Sequence, residues 1–133
     1  MILIDSSVLI DIVNIEARGE IWSEQQALLA KKSGKIAINL VIYAEISRDF
    51  LNKSQLDLFL SGAAISVEPM NEAVAYAAAL AHEKYRQAGG LRSATLPDFF
   101  IGAHASTMGY ILLTRDPKRI RTYFPDVNLI TPE

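Results

Sequence analysis

Four short apolar runs constrain this chain more than any other feature. Met1–Ile4, Ile36–Ile38, Ile65–Val67 and Ile111–Leu113 are each three or four residues long, too short for helices and of the right length for buried strands. The segments between them carry helical spacing. Glu20–Lys32 places Ile21, Leu28 and Leu29 ahead of two lysines and Gly34, the order of a helix C-terminus. Asn39 is placed to cap a helix through Val41, Ile42, Ile46 and Phe50, and Ser54 another through Leu56, Phe59 and Leu60. Asn71 opens an alanine-rich helix that Gly89-Gly90 closes, and Pro97 takes the first position of a helix ending near Gly109. Asp116-Pro117 starts a short helix to about Phe124, and Val127–Ile130 is a last strand. Buried strands alternating with helices form parallel sheets covered on both faces, so the expected class is an α/β sandwich. With 133 residues the chain is expected to be one domain, 1–133, able to bury about two-thirds of its unfolded surface.

Composition removes several functions. The chain has no cysteine and only His82 and His104, which excludes disulfide scaffolds, thiolate zinc, iron–sulfur clusters and cysteine nucleophiles. The two histidines lack metal-ligand spacing and read as helix residues. The longest charge-free stretch, Phe99 to Thr114, is 16 residues, short of the roughly 20 needed to span a bilayer. The start, MILIDSSVLID, has an acid at position 5 and no basic region, so a cytoplasmic protein with no membrane association is expected.

The net charge of −2 conceals an asymmetry. From Lys84 to Arg121 seven basic residues face two acids, a local +5, whereas the rest of the chain carries −7. A basic segment in an acidic protein is what a phosphate-contacting surface looks like, and it is also what a solvated helix face looks like.

Four carboxylates stand out by context: Asp5 after the first strand, Glu45 within INLVIYAEI, Asp98 beside Pro97, and Asp116 after the fourth strand. Asp5 and Asp116 read equally as helix caps, and Asp98 as a complement to a helix dipole. Glu45 interrupts an apolar helix, so it either reaches a surface or points at a site. Acids at strand ends and helix starts converge on one rim of such a sheet, where they repel and raise one another's pKa. A hard divalent cation resolves that conflict, and the chain offers only oxygen ligands for one. Ser6 and Thr114, each adjacent to one of these acids, either hold a carboxylate or a metal-bound water, or are ordinary cap and strand-end hydroxyls. Asp11, six residues after Asp5 on a helix, is expected to point away from the site.

MILIDSSVLID, Glu45 in VIYAEI, LPDFFIGAHA around Asp98 and ILLTRDPKRI around Asp116 together resemble the ordered acidic motifs of PIN-domain nucleases, in size most similar to the stand-alone VapC-type ribonuclease toxins. The resemblance spans essentially the whole chain. It implies a PIN-like three-layer sandwich with a central parallel five-stranded sheet, order 3-2-1-4-5, placing Asp5 beside Asp116. It implies that Asp5, Glu45, Asp98 and Asp116 hold Mg²⁺ or Mn²⁺ for cleavage of RNA phosphodiester bonds, with Asp5 and Asp98 the core ligands and Asp116 acting through water. It further implies a cognate antitoxin as partner and a homodimer. Gly102 departs from the family's usual small alanine and is expected to be harmless. Arg92, Arg115, Lys118 and Arg119, with Arg121, lie near Asp98 or Asp116 in sequence and are expected to hold the RNA backbone, although Arg115 serves equally to neutralise the acids.

Other readings fit less well. A haloacid-dehalogenase-type phosphatase needs D-x-D-x-T, and Asp5-Ser6-Ser7-Val8-Leu9 lacks the second acid and the Thr. A receiver domain needs paired acids and a lysine after the last strand, and no GxxxxGK[ST] or GxGxxG loop occurs. The alternative that stays open is a PIN fold kept as a dimeric binding module with weak or no catalysis. Tyr76, Tyr85, Phe99 and Phe100 are expected to be structural, with no role in stacking on bases.

Overall fold

The computed structural model describes residues 1–14, 21–90 and 96–132. In chain order the elements are β1 (Ile2–Ile4), α1 (Ser6–Val13), α2 (Ile21–Ser33), β2 (Ile36–Ile38), α3 (Leu40–Ser47), α4 (Lys53–Gly62), β3 (Ile65–Val67), α5 (Glu72–Gln87), α6 (Leu96–Met108), β4 (Ile111–Leu113), α7 (Lys118–Tyr123) and β5 (Leu129–Ile130). The five strands form one sheet in the order β3-β2-β1-β4-β5, every pair parallel. This is the PIN-like α/β sandwich expected from the sequence, with helices flanking the sheet.

β1 is central and buried along its whole length, pairing Ile2 with Ile36 on one side and with Ile111 on the other. A strand buried on both faces cannot alternate polar and apolar residues, which is why ILI, IAI and ILL are continuous. Leu3, Ile4, Ile38, Leu112 and Leu113 are fully buried together with Leu9, Ile42, Ile46 and Phe99 from the covering helices. Each such side chain contributes about 1.5–3 kcal/mol relative to exposure.

Asparagine begins three of the helices. Asn39 Oδ1 accepts from the Ile42 amide at 2.9 Å, Asn52 Oδ1 from Gln55 at 2.9 Å, and Asn71 Oδ1 from Val74 at 3.0 Å. The expected Ser54 cap is therefore Asn52, whose amide oxygen reaches a first-turn amide from two residues earlier. α3 stops at Ser47, short of Phe50; the Ser47 hydroxyl donates to the Tyr43 carbonyl at 2.6 Å, and Phe50 packs on Phe59 from the following turn. Asn39 also binds His104, its Nδ2 lying 3.1 Å from Nδ1 of that buried ring. Because the Asn39 oxygen is committed to Ile42, its amide nitrogen is the donor, so Nδ1 accepts and the ring proton sits on Nε2.

Gly102 in α6 is not a neutral replacement for alanine. A Cβ at this position would stand 2.4 Å from Phe124 Cδ2 and 3.0 Å from Ile120 Cδ1. The missing side chain lets α7 and the residue that ends it lie directly on α6, and α7 carries Lys118 and Arg119.

Candidate active site

The chain builds outward from β1 to β2 and β3, then returns across the sheet to β4 and β5, so the direction of winding changes between β1 and β4. Ligands of open α/β sheets bind beyond the carboxyl ends of the strands at such a point. Asp5 follows β1 there and Thr114 follows β4; the Asp5 amide donates to the Leu113 carbonyl at 2.9 Å, locking the two strand ends together.

Asp5 sits at the N-cap position of α1, yet its side chain makes no capping hydrogen bond. Its carboxylate instead accepts from the hydroxyls of Thr114 at 2.7 Å and Ser7 at 2.9 Å. Glu45 comes from the middle of α3 and accepts from Ser6 Oγ at 2.9 Å, joining α3 to the first turn of α1. Asp98 stands in the first turn of α6. Burial pushes the Asp5 carboxyl above its ordinary range and the charge of Asp98 adds to the rise, against the Thr114 and Ser7 hydrogen bonds. Glu45 is raised as well, chiefly by burial and further by the charges of Asp5 and Asp98, with Ser6 opposing. The charge of Asp98 thus bears on Asp5, and the charges of Asp5 and Asp98 on Glu45.

Asp116 lines one cleft with Asp5 and Asp98 but is exposed, and its amide is held by Thr114 Oγ1 at 3.0 Å. The cleft has a volume of about 1100 Å³, and Asp5, Asp98, Asp116, Tyr85, Lys118 and Arg119 are among the residues that line it.

The basic residues divide. Arg119 Nη1 donates to Asp98 Oδ2 at 2.6 Å, and its guanidinium carbon lies 5.1 Å from the centroid of the Tyr85 ring. Arg115 turns to Asp11, donating from Nη1 at 2.7 Å, and its amide donates to Ser7 Oγ at 3.2 Å. Lys118 is exposed on the cleft wall. Arg92 lies outside the described residues.

Asp11 does point away from Asp5, but it is the buried anchor of Arg115 and also accepts from Ser23 Oγ of α2 at 2.8 Å. The signal was present in the sequence: Asp11 interrupts the apolar run VLIDIV as Glu45 interrupts INLVIYAEI, and it lies one turn beyond Ser7 on the same helix face. Tyr85 was also readable, one turn beyond Ala81 on the buried stripe Val74, Ala78, Ala81 of α5.

The donor set is chemically that of a hard divalent cation: carboxylates only, flanked by the hydroxyls of Ser6, Ser7 and Thr114. Asp5 is stabilised by the hydroxyls of Thr114 and Ser7 and by the Ser6 backbone amide, and Glu45 by the Ser6 hydroxyl and more weakly by the charge of Arg48. Among the described residues no three of the carboxylates and histidines are drawn into a closed ligand set. Among the described residues Asp98 is held by Arg119, Asp5 by Thr114 and Ser7, and Glu45 by Ser6.

A doubly wound parallel sheet with carboxylates beyond its switch point places the chain among open α/β folds whose candidate site is acidic. The PIN domain family profile matches residues 2–125, and the chain belongs to that family, whose members are generally nucleases. No curated protein matches the chain. Among solved structures it is similar to VapBC2 from Rickettsia felis bound to a DNA fragment from its promoter, with TM-score 0.76, 20% identity and 100% of both chains covered. It is also similar to a toxin–antitoxin complex from Klebsiella pneumoniae, with TM-score 0.68, 22% identity, and 100% of this chain and 98% of that one covered. A DNA-bound VapBC from Salmonella typhimurium aligns with TM-score 0.71 and 12% identity over 98% of this chain and 96% of the other.

Proposed function

We propose that this chain, as a single domain of 133 residues, is a VapC-type toxin: an endoribonuclease that depends on Mg²⁺ or Mn²⁺ and cleaves RNA phosphodiester bonds. The observation that carries the proposal is the approach of Asp5, Glu45 and Asp98 beyond the carboxyl end of the central strand, Asp5 held by Thr114 and Ser7, Glu45 by Ser6, with the charge of Asp98 bearing on both. Carboxylates held close together and partly buried at a switch point cost stability unless a cation or a reaction uses them.

In this reading Asp5 and Asp98 are the principal metal ligands, Glu45 a further one, and Asp116 acts from the exposed rim. A bound divalent ion supplies an activated water and charge stabilisation for the pentacoordinate phosphate. The protein's part is to orient and to bind. Ser6, Ser7 and Thr114 fix the carboxylate oxygens of Glu45 and Asp5 through their hydroxyl protons, leaving the remaining lone pairs for a cation. Lys118 lines the cleft as a point charge for the RNA backbone, and Arg119 adds to it; Arg92 is proposed as a backbone contact from its place in the sequence alone. Arg115, tied to Asp11, sets the loop after β4 and contributes charge to the cleft from a fixed position.

The neighbouring toxin–antitoxin complexes support a cognate antitoxin as partner, with homodimerisation and a cytoplasmic setting as parts of the same proposal. No helix among the described residues is long and apolar enough to cross a membrane. The deciding experiment is cleavage of end-labelled RNA by the purified protein with Mg²⁺, Mn²⁺ or EDTA, beside Asp5→Asn and Asp98→Asn. Discrete cuts that require metal and vanish in both variants support the nuclease. Identical traces from wild type and variants reject it in favour of a PIN-fold binding module.

A further inference from the structure

We infer that Arg119 is a built-in competitor for the cation at Asp98: a positioning residue that holds this carboxylate until a divalent ion displaces it, and so sets the metal affinity of the site. The inference rests on the proposal that Asp98 is a metal ligand.

Arg119 Nη1 lies 2.6 Å from Asp98 Oδ2, occupying an oxygen that a cation would need. Its guanidinium does not reach there as a loose surface chain. It lies over the Tyr85 ring, 5.1 Å from the centroid, where the negative face of the ring attracts a cation. That ring is itself immobilised, with Phe99 at 5.4 Å and Tyr123 at 6.0 Å between centroids. On another side the Gly90 backbone approaches so closely that a Cβ there would fall 2.3 Å from Tyr85 Cε2. The base of Arg119 is fixed too, because Gly102 lets α7 lie on α6, the helix that carries Asp98. Tyr85 from α5, Arg119 from α7 and Asp98 from α6 therefore form a clamp assembled from three helices.

The clamp is exchangeable. The Arg119 and Asp98 side chains are 35% and 46% exposed, and ion pairs in that range are weak because water screens them. A divalent ion, attracted by Asp5 and Glu45 as well as by Asp98, outcompetes a monovalent guanidinium that touches only one of the three. Until then Arg119 both blocks an Asp98 oxygen and repels an approaching cation.

The test is Mn²⁺ titration of the full chain, followed by the electron paramagnetic resonance signal of the free ion, for wild type, Arg119→Gln, Arg119→Lys, Lys118→Gln and Asp98→Asn. Arg119→Gln is expected to bind Mn²⁺ about fivefold or more tightly than wild type, the combined effect of losing a competitor and a nearby like charge. Lys118→Gln removes an equal charge from the same cleft wall with no contact to Asp98, and its affinity is expected to rise less than about twofold. Arg119→Lys keeps the charge without the planar fork and is expected to fall between wild type and Arg119→Gln. Mere structural damage would weaken binding, so a gain specific to position 119 reports the competition. The inference is overturned if Arg119→Gln binds no more tightly than Lys118→Gln while Asp98→Asn binds poorly. If Asp98→Asn binds as wild type does, Asp98 is no ligand, and the functional reading fails with it.

Discussion

Thr114 Oγ1 donates a 2.7 Å hydrogen bond to Asp5 Oδ2 across 109 residues of sequence, while the same oxygen accepts the Asp116 amide at 3.0 Å. With the amide taking a lone pair, the hydroxyl proton has one direction to point, and the side chain of a single residue orients an acid on β1 and the backbone of an acid beyond β4.

Thr114→Val keeps the shape and removes both bonds. The variant is expected to lose about 1–3 kcal/mol of stability, measured by urea unfolding. Without that donor the Asp5 carboxyl rises further, so the pH at which Mn²⁺ binding is half-maximal shifts upward. Thr114→Ser is expected to restore both. An unchanged pH profile in Thr114→Val would remove Thr114 from the site.

The pH dependence of stability is expected to contain two contributions of opposite sign. Asp5 has a folded pKa above its ordinary 3.8, so in the range above 3.8 the folded protein binds more protons than the unfolded chain, and stability falls as pH rises through the elevated value. Asp5→Asn lacks this loss, and its stability should gain on wild type as pH rises. Burial lowers the His104 pKa below its ordinary 6.5, only partly offset by the charge of Glu68. The unfolded chain therefore binds the extra proton, and stability present above 6.5 is lost as pH falls below it. His104→Gln is expected to flatten the acid side of the curve, and parallel curves for both variants and wild type would contradict these assignments.

Gly102→Ala is expected to destabilise the protein by about 1–3 kcal/mol, the usual consequence of overpacking. The added Cβ drives Phe124 and Ile120 outward and tilts α7, so RNA affinity is expected to fall with it. Denaturation and filter binding measure the two effects, and a variant as stable as wild type would show that α7 adjusts freely.

Asp11→Ala leaves the Ser23 hydroxyl and the Arg115 guanidinium without this carboxylate, and is expected to cost about 2–3 kcal/mol. A double-mutant cycle with Arg115→Ala checks the origin: the second change is expected to add less than its cost alone, because the two share one interaction.

The frame was legible because its signals are local: apolar triplets followed by Asp, Asn or Thr, and asparagine caps at 39 and 71. The acids at 5, 45 and 98 were legible as charges at strand ends, at a helix start and inside an apolar helix. Pairing was not, because it depends on where long side chains turn. Arg115 and Arg119 are four residues apart in sequence, and nothing in that spacing says that one turns to Asp11 and the other to Asp98. Nor does a glycine inside a helix pattern announce that a ring from position 124 fills its missing side chain.

The sheet order also governs when this site comes into existence during translation. β1 precedes the other four strands in sequence, yet its partner on the site side is β4, which ends at Leu113. A growing chain carries Asp5 from the outset, but it has no Thr114 to orient that carboxylate, and no strand beside Ile4, until most of the polypeptide has been joined. N-terminal segments fold as they emerge, so β1 and β2 can pair early around an acid that stays unorganised. A product cut short before β4 therefore carries Asp5, Glu45 and Asp98 without the Thr114 hydroxyl that orients the first of them.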